Sequence, residues 1–499
     1  MIHFNRAELR DRIYACWLGK NIGGTMGTPF EGTKELLDIQ GFTSEPGKLL
    51  PNDDLDLQLV WLKALAEVGP NSLDAKVLGE YWLTYIGPPW NEYGAGKANM
   101  RMGIVPPMSG ELNNEDWKHS NGAWIRTEVW ACTHPALPER AIRFAFEDAC
   151  VDHGFGEGSN AAVFVAAMQS AAFVVDDIDK LIDIGLSKIP EDCRVARSIR
   201  IVLGCYEKGV DWKDCRAAIV KDSEDLGWFQ APANVAFVIL GLKYGQGDFK
   251  KSMILTINCG DDTDCTGATL GATMGIMHGT KMIPADWRAY IGDDIITISI
   301  IKGSAFFPET CTQLTDLVMD LLPVTTYAGF FPKSARRVPH YVEISDAPFS
   351  ISEGFDPDQF KGRGFVNRLF RRKRYSYIYA NEILKALVEY DHEPCIAAGE
   401  SIRVRLTVSQ TNCTSYRRAA IKWHLPEGFS VAGRTNVFLK WLPGGEERED
   451  ALNYRADDAN FTDLTITAGE KVDSVNRIII EVTTPGQCQP LLVPITLLA

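Results

Sequence analysis

The stretch NCGDDTDCTGATLGATMG, residues 258–275, places three aspartates directly before a run of mostly small side chains. Asp261, Asp262 and Asp264 would repel one another, and each carboxylate is costly to remove from water. A cation held between them is the simplest way to offset that cost. The Gly, Ala and Thr residues that follow predict a helix against which neighbouring helices pack closely. The sequence therefore predicts a rigid cation site at the start of this helix.

A second acidic cluster lies near the beginning of the chain. Asn52, Asp53 and Asp54 precede or open the amphipathic stretch 54–69. Carboxylates at a helix N-terminus are often plain caps of the free backbone N–H groups. Caps would explain one such cluster, but two dense clusters favour hard oxygen ligands for Mg²⁺, Mn²⁺ or Ca²⁺. If they converge, the two clusters can hold a pair of ions and polarise an oxygen between them.

Composition places the chain among ordinary globular proteins. It has 499 residues, 45% hydrophobic and 23% charged, with a net charge of −14. This length predicts two or three domains, and the acidic balance argues against nucleic-acid binding by the whole surface. The sequence contains no secretory apolar core, no run of eighteen apolar residues and no CxxC pair among its twelve cysteines. We therefore expect a cytoplasmic protein with reduced thiols, no zinc cage and no membrane span.

The first part of the chain has a helical period. Up to about residue 325, apolar residues recur at three- and four-residue spacing, and no stretch alternates convincingly as a strand. Helices are predicted over 8–21, 54–69, 138–154, 193–209 and 232–245. The apolar run 161–175 is interpreted as a further, buried helix. We expect an all-α domain over residues 1–330.

After about residue 335 the period becomes that of strands. Apolar residues alternate over 401–410 and 421–425, and residues 477–482 are rich in β-branched side chains. Turn clusters such as LPEG and TPGQ separate these runs. Short strands with frequent turns predict a smaller all-β, Ig-like sandwich domain over 331–499, with the boundary in 329–339.

The segment KGRGFVNRLFRRKRYSYIY, residues 361–379, combines a basic run with three tyrosines. Such a segment can contact a polyanion. In an acidic protein, a solvated face or a contact between the two domains is the favoured interpretation.

Four motifs resemble those of the ADP-ribosylglycohydrolase family, and they follow the family order. They are GKNIGGTMGTPFEG at 19–32, NDD at 52–54, SNGAWIR at 120–126 and DDTDC at 261–265. They are similar, in turn, to the family's glycine-rich opening that ends in an acidic residue, its threonine–aspartate–aspartate, its asparagine–glycine substrate segment and its aspartate–threonine–aspartate–threonine signature. Four motifs in order over roughly 10–320 make the resemblance specific.

The resemblance implies an all-helical bundle with two Mg²⁺ ions in a cleft, and hydrolysis of the bond between a ribose C1″ and an acceptor. The implied metal-site residues are Asn52, Asp53, Asp54, Asp262, Asp264, Cys265 and Thr266. Glu31, Asp54 and Asp262 are the candidate catalytic carboxylates. Glu31 falls where the family carries an acidic residue beside the metals, where it would ligate, gate substrate entry or help to activate water.

The motifs also depart from the family. Asn52 replaces a threonine, although its amide oxygen still ligates hard cations. Cys265 stands where a hydroxyl would ligate, and a thiol is a poor partner for Mg²⁺. Three arrangements fit: Thr266 substitutes, water fills the position, or one metal binds weakly. Asp261 stands where the family has glycine, which places it behind the ligands.

The candidate substrate-binding residues are Gly24, Asn121, Gly122, Trp124, Arg126 and His153. For three of them a structural role competes with substrate contact. Arg126 suits either a phosphate or a structural salt bridge. His153 suits either substrate contact or a helix C-cap. Trp124 suits either stacking on a sugar or base, or burial.

Two classes of function remain. The first is an enzyme acting on a small-molecule glycoside or an ADP-ribosylated substrate, including glycosides without ADP-ribose. The second is a catalytically silent, crystallin-like scaffold or binding protein. The retained carboxylates favour the enzyme, because a scaffold gains nothing from keeping a repulsive cluster. The β domain is a candidate for sugar binding, for oligomerisation or for buttressing the cleft.

Overall fold

The computed structural model describes residues 1–51, 53–326, 342–362, 372–381, 383–410, 417–439 and 460–499. Asn52 and the expected boundary segment 329–339 lie outside the described residues, as do residues 363–371 of the basic segment.

The first part of the chain is helical, as predicted, with sixteen α-helices among the described residues. They are α1 Arg6–Gly27, α2 Asp56–Val68, α3 Ala75–Tyr85, α4 Asn91–Arg101, α5 Met108–Glu111, α6 Glu128–Thr133, α7 Pro138–Ala149, α8 Glu157–Ala171, α9 Ile178–Leu186, α10 Arg194–Glu207, α11 Trp212–Asp222, α12 Ala231–Gly245, α13 Phe249–Asn258, α14 Thr263–His278, α15 Ala285–Ile291 and α16 Cys311–Thr325. The five predicted amphipathic helices and the buried helix α8 are confirmed. None of the described helices is long and apolar enough to cross a membrane.

Helices α1 and α14 form the central pair, and glycines bring them into backbone contact. Gly19, Gly23 and Gly27 repeat every four residues and therefore share one face of α1. A Cβ added at Gly19 or Gly23 would overlap the carbonyl group of Gly271 or Gly267 on α14. The close crossing brings the chain that leaves α1 next to the start of α14, where the acidic residues lie.

The expectation of no strand in the first part was wrong. Strand β1 (Ile2–Asn5) pairs in parallel with β2 (Val342–Ser345) and antiparallel with β3 (Ser350–Ile351). Four residues are too few for an alternating pattern to stand out, and the partner strands lie far along the chain. Residues 342–360 pack on the helical core, so this small sheet ties the second part of the chain to the first.

The rest of the chain forms two antiparallel sheets. Their strands are β4 Ser376–Ala380, β5 Leu384–Tyr390, β6 Ser401–Gln410, β7 Arg417–His424, β8 Ser430–Ala432, β9 Asn436–Leu439, β10 Phe461–Thr467, β11 Val475–Thr483 and β12 Leu491–Leu498. The five-stranded sheet has the order β4-β5-β6-β10-β8, and the four-stranded sheet has the order β12-β11-β7-β9. Side chains from both sheets, including Leu406 and Ile480, share one buried core, which confirms a β domain.

Contacts join the helical and β parts. Ile104 and Met108 of the helical part are buried in the β core. Arg374 forms an ion pair with Glu111 at 2.7 Å, and Arg372 forms one with Glu147 at 3.4 Å. The described end of the basic segment therefore contacts the helical part, which agrees with the favoured interpretation of that segment.

Candidate metal and substrate site

A cleft of about 340 Å³ lies where α1 ends, α14 begins and α4 passes beside them. All four motifs contribute described residues to its wall, the NDD motif through Asp53. The lining residues are Thr28, Glu31, Pro51, Asp53, Trp90, Asn91, Glu92, Tyr93, Ser120, Asn121, Gly122, Ile125, Phe229, Asp262, Asp264, Cys265 and Ile298. The motifs that are far apart in the sequence thus meet in one cavity.

Two groups of candidate ligands meet at Asp264. Carboxylate oxygens of Glu31, Asp262 and Asp264 lie within 4.8 Å of one another, and so do ligand atoms of Asp54, Asp264 and Cys265. Asp264 belongs to both groups, as a carboxylate shared by two adjacent cations would. Asn52 lies outside the described residues, so its distance to this cluster is not described.

These aspartates are not plain helix caps. Asp262 is the N-cap residue of α14 and Leu55 that of α2, yet neither helix has a side-chain hydrogen bond at its cap. Asp248, by contrast, caps α13 with a hydrogen bond of 2.7 Å from the Lys251 N–H.

Several buried carboxylate oxygens of the cluster lack a hydrogen-bond donor. Among the described residues, both oxygens of Asp54 and Oδ1 of Asp262 and Asp264 have no partner. Neighbouring carboxylates can bond to each other only by sharing a proton. Hard divalent cations take such carboxylate oxygens as ligands, so the donor set fits a metal of the Mg²⁺ type.

Burial and mutual repulsion raise the pKa values in this cluster. Burial, with a contribution from Glu31, raises the pKa of Asp262 to about 8. Burial and the Asp262 carboxylate raise the pKa of Asp264, and burial does the same for Asp54. Without a cation, Asp262 would be largely protonated at neutral pH. Burial also raises the pKa of the Cys265 thiol, which keeps it a poor ligand for a hard cation.

Neutral donors orient two of the carboxylates. The Tyr93 hydroxyl donates to Asp53 Oδ2 at 2.6 Å, and Asn121 Nδ2 donates to Asp262 Oδ2 at 2.7 Å. Trp124 is fully buried, and its indole N–H donates to Asn121 Oδ1 at 2.9 Å. Trp124 therefore fixes Asn121 from behind and does not line the cleft.

Asp261 does not line the cleft, and it positions residues that surround the site. Its Oδ1 accepts the Phe229 backbone N–H at 3.0 Å, and its Oδ2 accepts Asn234 Nδ2 at 3.1 Å. Asp261 and Phe229 both have positive φ, 66° and 59°, which is uncommon for residues other than glycine. The carboxylate thus holds Phe229 at the cleft wall, in agreement with the position inferred for Asp261.

Other sequence candidates lie in the core. Arg126 is fully buried, where it pairs with Asp148 at 2.8 Å and with Asp152 at 2.7 Å. His153 is also fully buried, with Nε2 lying 3.0 Å from Ser120 Oγ. These positions favour the structural alternative for Arg126. His153 does not line the cleft, and Ser120 lies between it and the cleft.

Two further candidates lie inside helices. Gly24 is buried within α1 and is absent from the cleft lining. Thr266 is buried in α14, and its hydroxyl donates to the Thr263 carbonyl at 3.3 Å. Gly122, by contrast, lines the cleft.

Sequence reasoning missed two charged residues of the site. Lys20 of α1 is buried, with its ammonium 3.2 Å from Glu128 and 3.9 Å from Asp54. Glu92 of α4 is 6% exposed and lines the cleft. Lys20 stands inside the glycine-rich motif, where its charge was a signal that could have been followed. Glu92 lies outside the four motifs, so no comparable signal marked it in the sequence.

Comparison with known protein families identifies the family to which this chain belongs. A profile described as ADP-ribosylglycohydrolase matches residues 5–325, well over half of the chain. The chain belongs to the ADP-ribosylglycohydrolase family, and the resemblance seen in the four motifs is confirmed. Membership supports a glycohydrolase function.

Solved structures and curated proteins add little more. A solved chain titled "ADP-ribosylglycohydrolase-related protein complex" is 20% identical and aligns with a TM-score of 0.44, covering 64% of this chain and 99% of that chain. The comparison with curated proteins found no match.

Proposed function

We propose that the protein is a metal-dependent hydrolase that cleaves an ADP-ribosyl or related ribosyl-type N- or O-glycosidic bond. The observation that supports this best is the pair of ligand groups that share Asp264 at the cleft, with buried carboxylate oxygens that receive no hydrogen bond. A cluster of this kind is costly unless a cation neutralises it, and family membership makes a glycosidic bond the natural target.

Asp54, Asp262 and Asp264 would hold the cation, with Glu31 and Asp53 at the cleft side of the cluster. Mg²⁺ is the preferred cation, with Mn²⁺ and Ca²⁺ as alternatives, because the donor set consists mainly of carboxylate oxygens. When bound, such an ion supplies positive charge that orients hydroxyl groups and lowers the pKa of water. A second, adjacent ion would meet the Cys265 thiol and therefore bind more weakly.

The chain's own residues would position the substrate and accept a proton. Glu31 is at the rim of the cleft, open to solvent on one side. The surrounding cleft wall partly desolvates its carboxylate and, together with the Asp53 carboxylate, raises its pKa. A carboxylate with a raised pKa is a suitable general base for a water molecule. Asn121 keeps Asp262 in place through its amide N–H group.

A neighbouring pocket gives the non-ADP-ribose alternative a specific basis. This pocket, of about 520 Å³, shares Phe229 with the cleft and is lined by Trp117, Trp228 and Asp116, among others. Lys34 stacks on the Trp228 ring at 4.7 Å. An uncharged ring placed there would stack on the aromatic side chains, whereas a diphosphate would meet the carboxylates of the pocket as well as the Lys34 ammonium. The aromatic lining therefore suits a glycoside with an uncharged distal group.

The experiment is a hydrolysis assay with chelator-treated protein, with and without Mg²⁺. The substrates are ADP-ribosyl-arginine, an ADP-ribosylated peptide serine, and phosphate-free ribofuranosides. Glu31→Gln is compared with Glu35→Gln, which changes an exposed glutamate four residues away. We expect Mg²⁺-dependent release of the acceptor, lost roughly 10²-fold in Glu31→Gln and kept in Glu35→Gln. Binding of these compounds without turnover would instead favour the scaffold alternative.

A further inference from the structure

Lys20 carries a buried ammonium group on the inner side of the carboxylate cluster. It lies in α1 with its side chain fully buried, and Nζ is 3.9 Å from Asp54 Oδ1 and 3.2 Å from Glu128 Oε2. Among the described residues, Lys20 is the only basic side chain within 4 Å of Asp54, and neither Asp54 oxygen accepts a hydrogen bond. Lys20 is therefore the positive charge that the chain itself places beside Asp54.

Glu128, the other carboxylate beside Lys20, is held in a fixed position. The backbone N–H of Val129 donates to Gln58 Oε1 at 2.7 Å, which fixes the orientation of that side-chain amide. Gln58 Nε2 then donates to Glu128 Oε2, and Gln169 Nε2 donates to Glu128 Oε1, both at 3.0 Å. Each oxygen of Glu128 thus accepts an N–H group, as the oxygens of an ionised carboxylate do. This arrangement provides Lys20 with a fixed counter-ion on the side away from the cleft.

The ammonium lies beside one group of candidate metal ligands and not beside the other. We call these two groups the inner group, Asp54, Asp264 and Cys265, and the outer group, Glu31, Asp262 and Asp264. Lys20 contacts the inner group through Asp54. An ammonium and a divalent cation that share a carboxylate repel each other, and the repulsion is strong in a buried site because the dielectric there is low. An ion in the inner group would meet this repulsion most directly.

We propose that Lys20 is a positioning residue of the metal centre, whose ammonium shares Asp54 with the inner ion and makes the inner position the weaker of the two. The inference rests on the proposed metal-dependent hydrolysis and specifies how its ions are held. The protein would keep one divalent ion at the outer group and take up a second only at higher ion concentration. Cys265 also disfavours an inner ion, so the effect of the ammonium has to be separated from that of the thiol.

The first test counts Mn²⁺ ions and needs neither a substrate nor a variant. Chelator-treated wild type is titrated with Mn²⁺ and followed by electron paramagnetic resonance, which distinguishes free ions, isolated bound ions and coupled pairs of bound ions. We expect isolated bound ions first, and coupled pairs only at Mn²⁺ concentrations at least about tenfold higher. Coupled pairs from the first additions would overturn the inference and leave the proposed hydrolysis standing. Absence of bound Mn²⁺ throughout would overturn both.

Two variants then test whether the Lys20 charge is the cause. Lys20→Met removes the charge and keeps a long side chain, so the second Mn²⁺ should bind at least about tenfold more tightly. Glu128→Gln removes the nearer counter-ion and leaves the ammonium to Asp54, so the second Mn²⁺ should bind at least about tenfold more weakly. Cys265 is unchanged in both variants, so the thiol cannot produce shifts of opposite sign.

An ion pair with a purely structural role would give a different result. Loss of either partner would then loosen the site, and both variants would bind the second Mn²⁺ more weakly. That outcome overturns the proposal, and so does an affinity that neither variant changes. Binding of the first Mn²⁺ checks that each variant retains its site. Each variant has its own predicted sign, so either one alone can overturn the proposal if the other does not fold.

Lys188→Met is the matched control for the loss of a buried lysine. Lys188 is also buried and is paired with Glu139, and neither residue lines the cleft. The control should lower the stability of the protein, because it leaves Glu139 without its partner. It should leave the affinities for the first and the second Mn²⁺ as they are in the wild type. A tighter second ion in this control as well would show that the effect does not come from the Lys20 charge, and would overturn the proposal.

Discussion

Gly23 of α1 and Gly267 of α14 pack backbone against backbone, and a Cβ added at Gly267 would lie 3.0 Å from the Gly23 carbonyl oxygen. This crossing carries the acidic start of α14 against the end of α1. The closeness of the two helices is therefore a condition for the cluster of Glu31, Asp262 and Asp264. Side chains at the crossing would separate the ligands that the site needs.

Gly23→Ala should accordingly lower the free energy of unfolding by roughly 1–3 kcal/mol, since the added methyl group overlaps the Gly267 carbonyl group. Gly204→Ala is the control, because Gly204 lies in α10 with nothing within 4 Å of the added Cβ. That change should raise the free energy of unfolding by roughly 0.5–1 kcal/mol. Urea unfolding measures both, and similar values for the two variants would contradict the glycine crossing.

Two substitutions at Asp261 separate the energetic cost of its positive φ from the stabilisation that its hydrogen bonds provide. Asp261→Gly and Asp261→Ala both remove the carboxylate that accepts from Phe229 and Asn234. Alanine must also adopt a φ of 66°, which glycine does without strain. We expect the alanine variant to be the less stable by roughly 1–2 kcal/mol in denaturant unfolding. Equal stabilities would mean that the segment relaxes to another conformation.

His134 should make the protein sensitive to acid. Burial lowers the pKa of this histidine to about 3, against about 6.5 in an unfolded chain. The unfolded state therefore binds more protons below about pH 6.5, and the free energy of unfolding falls as the pH drops toward 3. The loss amounts to at most about 1.4 kcal/mol per pH unit for one proton. His134→Phe should remove this loss.

The measurement for His134 is the difference in unfolding free energy between wild type and variant at several pH values. The advantage of the wild type should shrink as the pH falls from about 6 to about 4. A constant difference for His134→Phe over this pH range would refute the buried neutral histidine.

Asn121→Ala should weaken metal binding without removing a ligand. The Asn121 amide donates to Asp262 at 2.7 Å and is itself held by Trp124. Loss of such a partner typically costs 10–100-fold in metal affinity. Calorimetric titration with Mg²⁺ measures it. Affinity equal to that of the wild type would show that Asp262 does not depend on this hydrogen bond.

Much of this architecture follows from patterns within short stretches. The three- and four-residue period predicted α1, α2, α7, α10 and α12. Alternation predicted β6 and β7, and a run of β-branched residues predicted β11. The clustering of acidic residues, together with the family motifs, predicted which carboxylates meet in the cleft. These features are local, so the sequence displays them directly.

The features that sequence reasoning missed depend on contacts between distant segments. Strand β1 is defined by partners at residues 342–351. Glu92 became a site residue because Gly122, thirty positions away, leaves space for it. Lys20 is a single charge in a glycine-rich helix, and its ion pair with Glu128 depends on a residue more than a hundred positions away.

The most direct test of the central claim is calorimetric titration of chelator-treated protein with Mg²⁺, comparing wild type, Asp264→Asn and the cap variant Asp248→Asn. Asp264 belongs to both ligand groups, whereas Asp248 only caps α13. We predict saturable binding by the wild type and by Asp248→Asn, and its loss in Asp264→Asn. A wild type that binds none of Mg²⁺, Mn²⁺ and Ca²⁺, or an Asp264→Asn variant that binds as the wild type does, would contradict the metal centre.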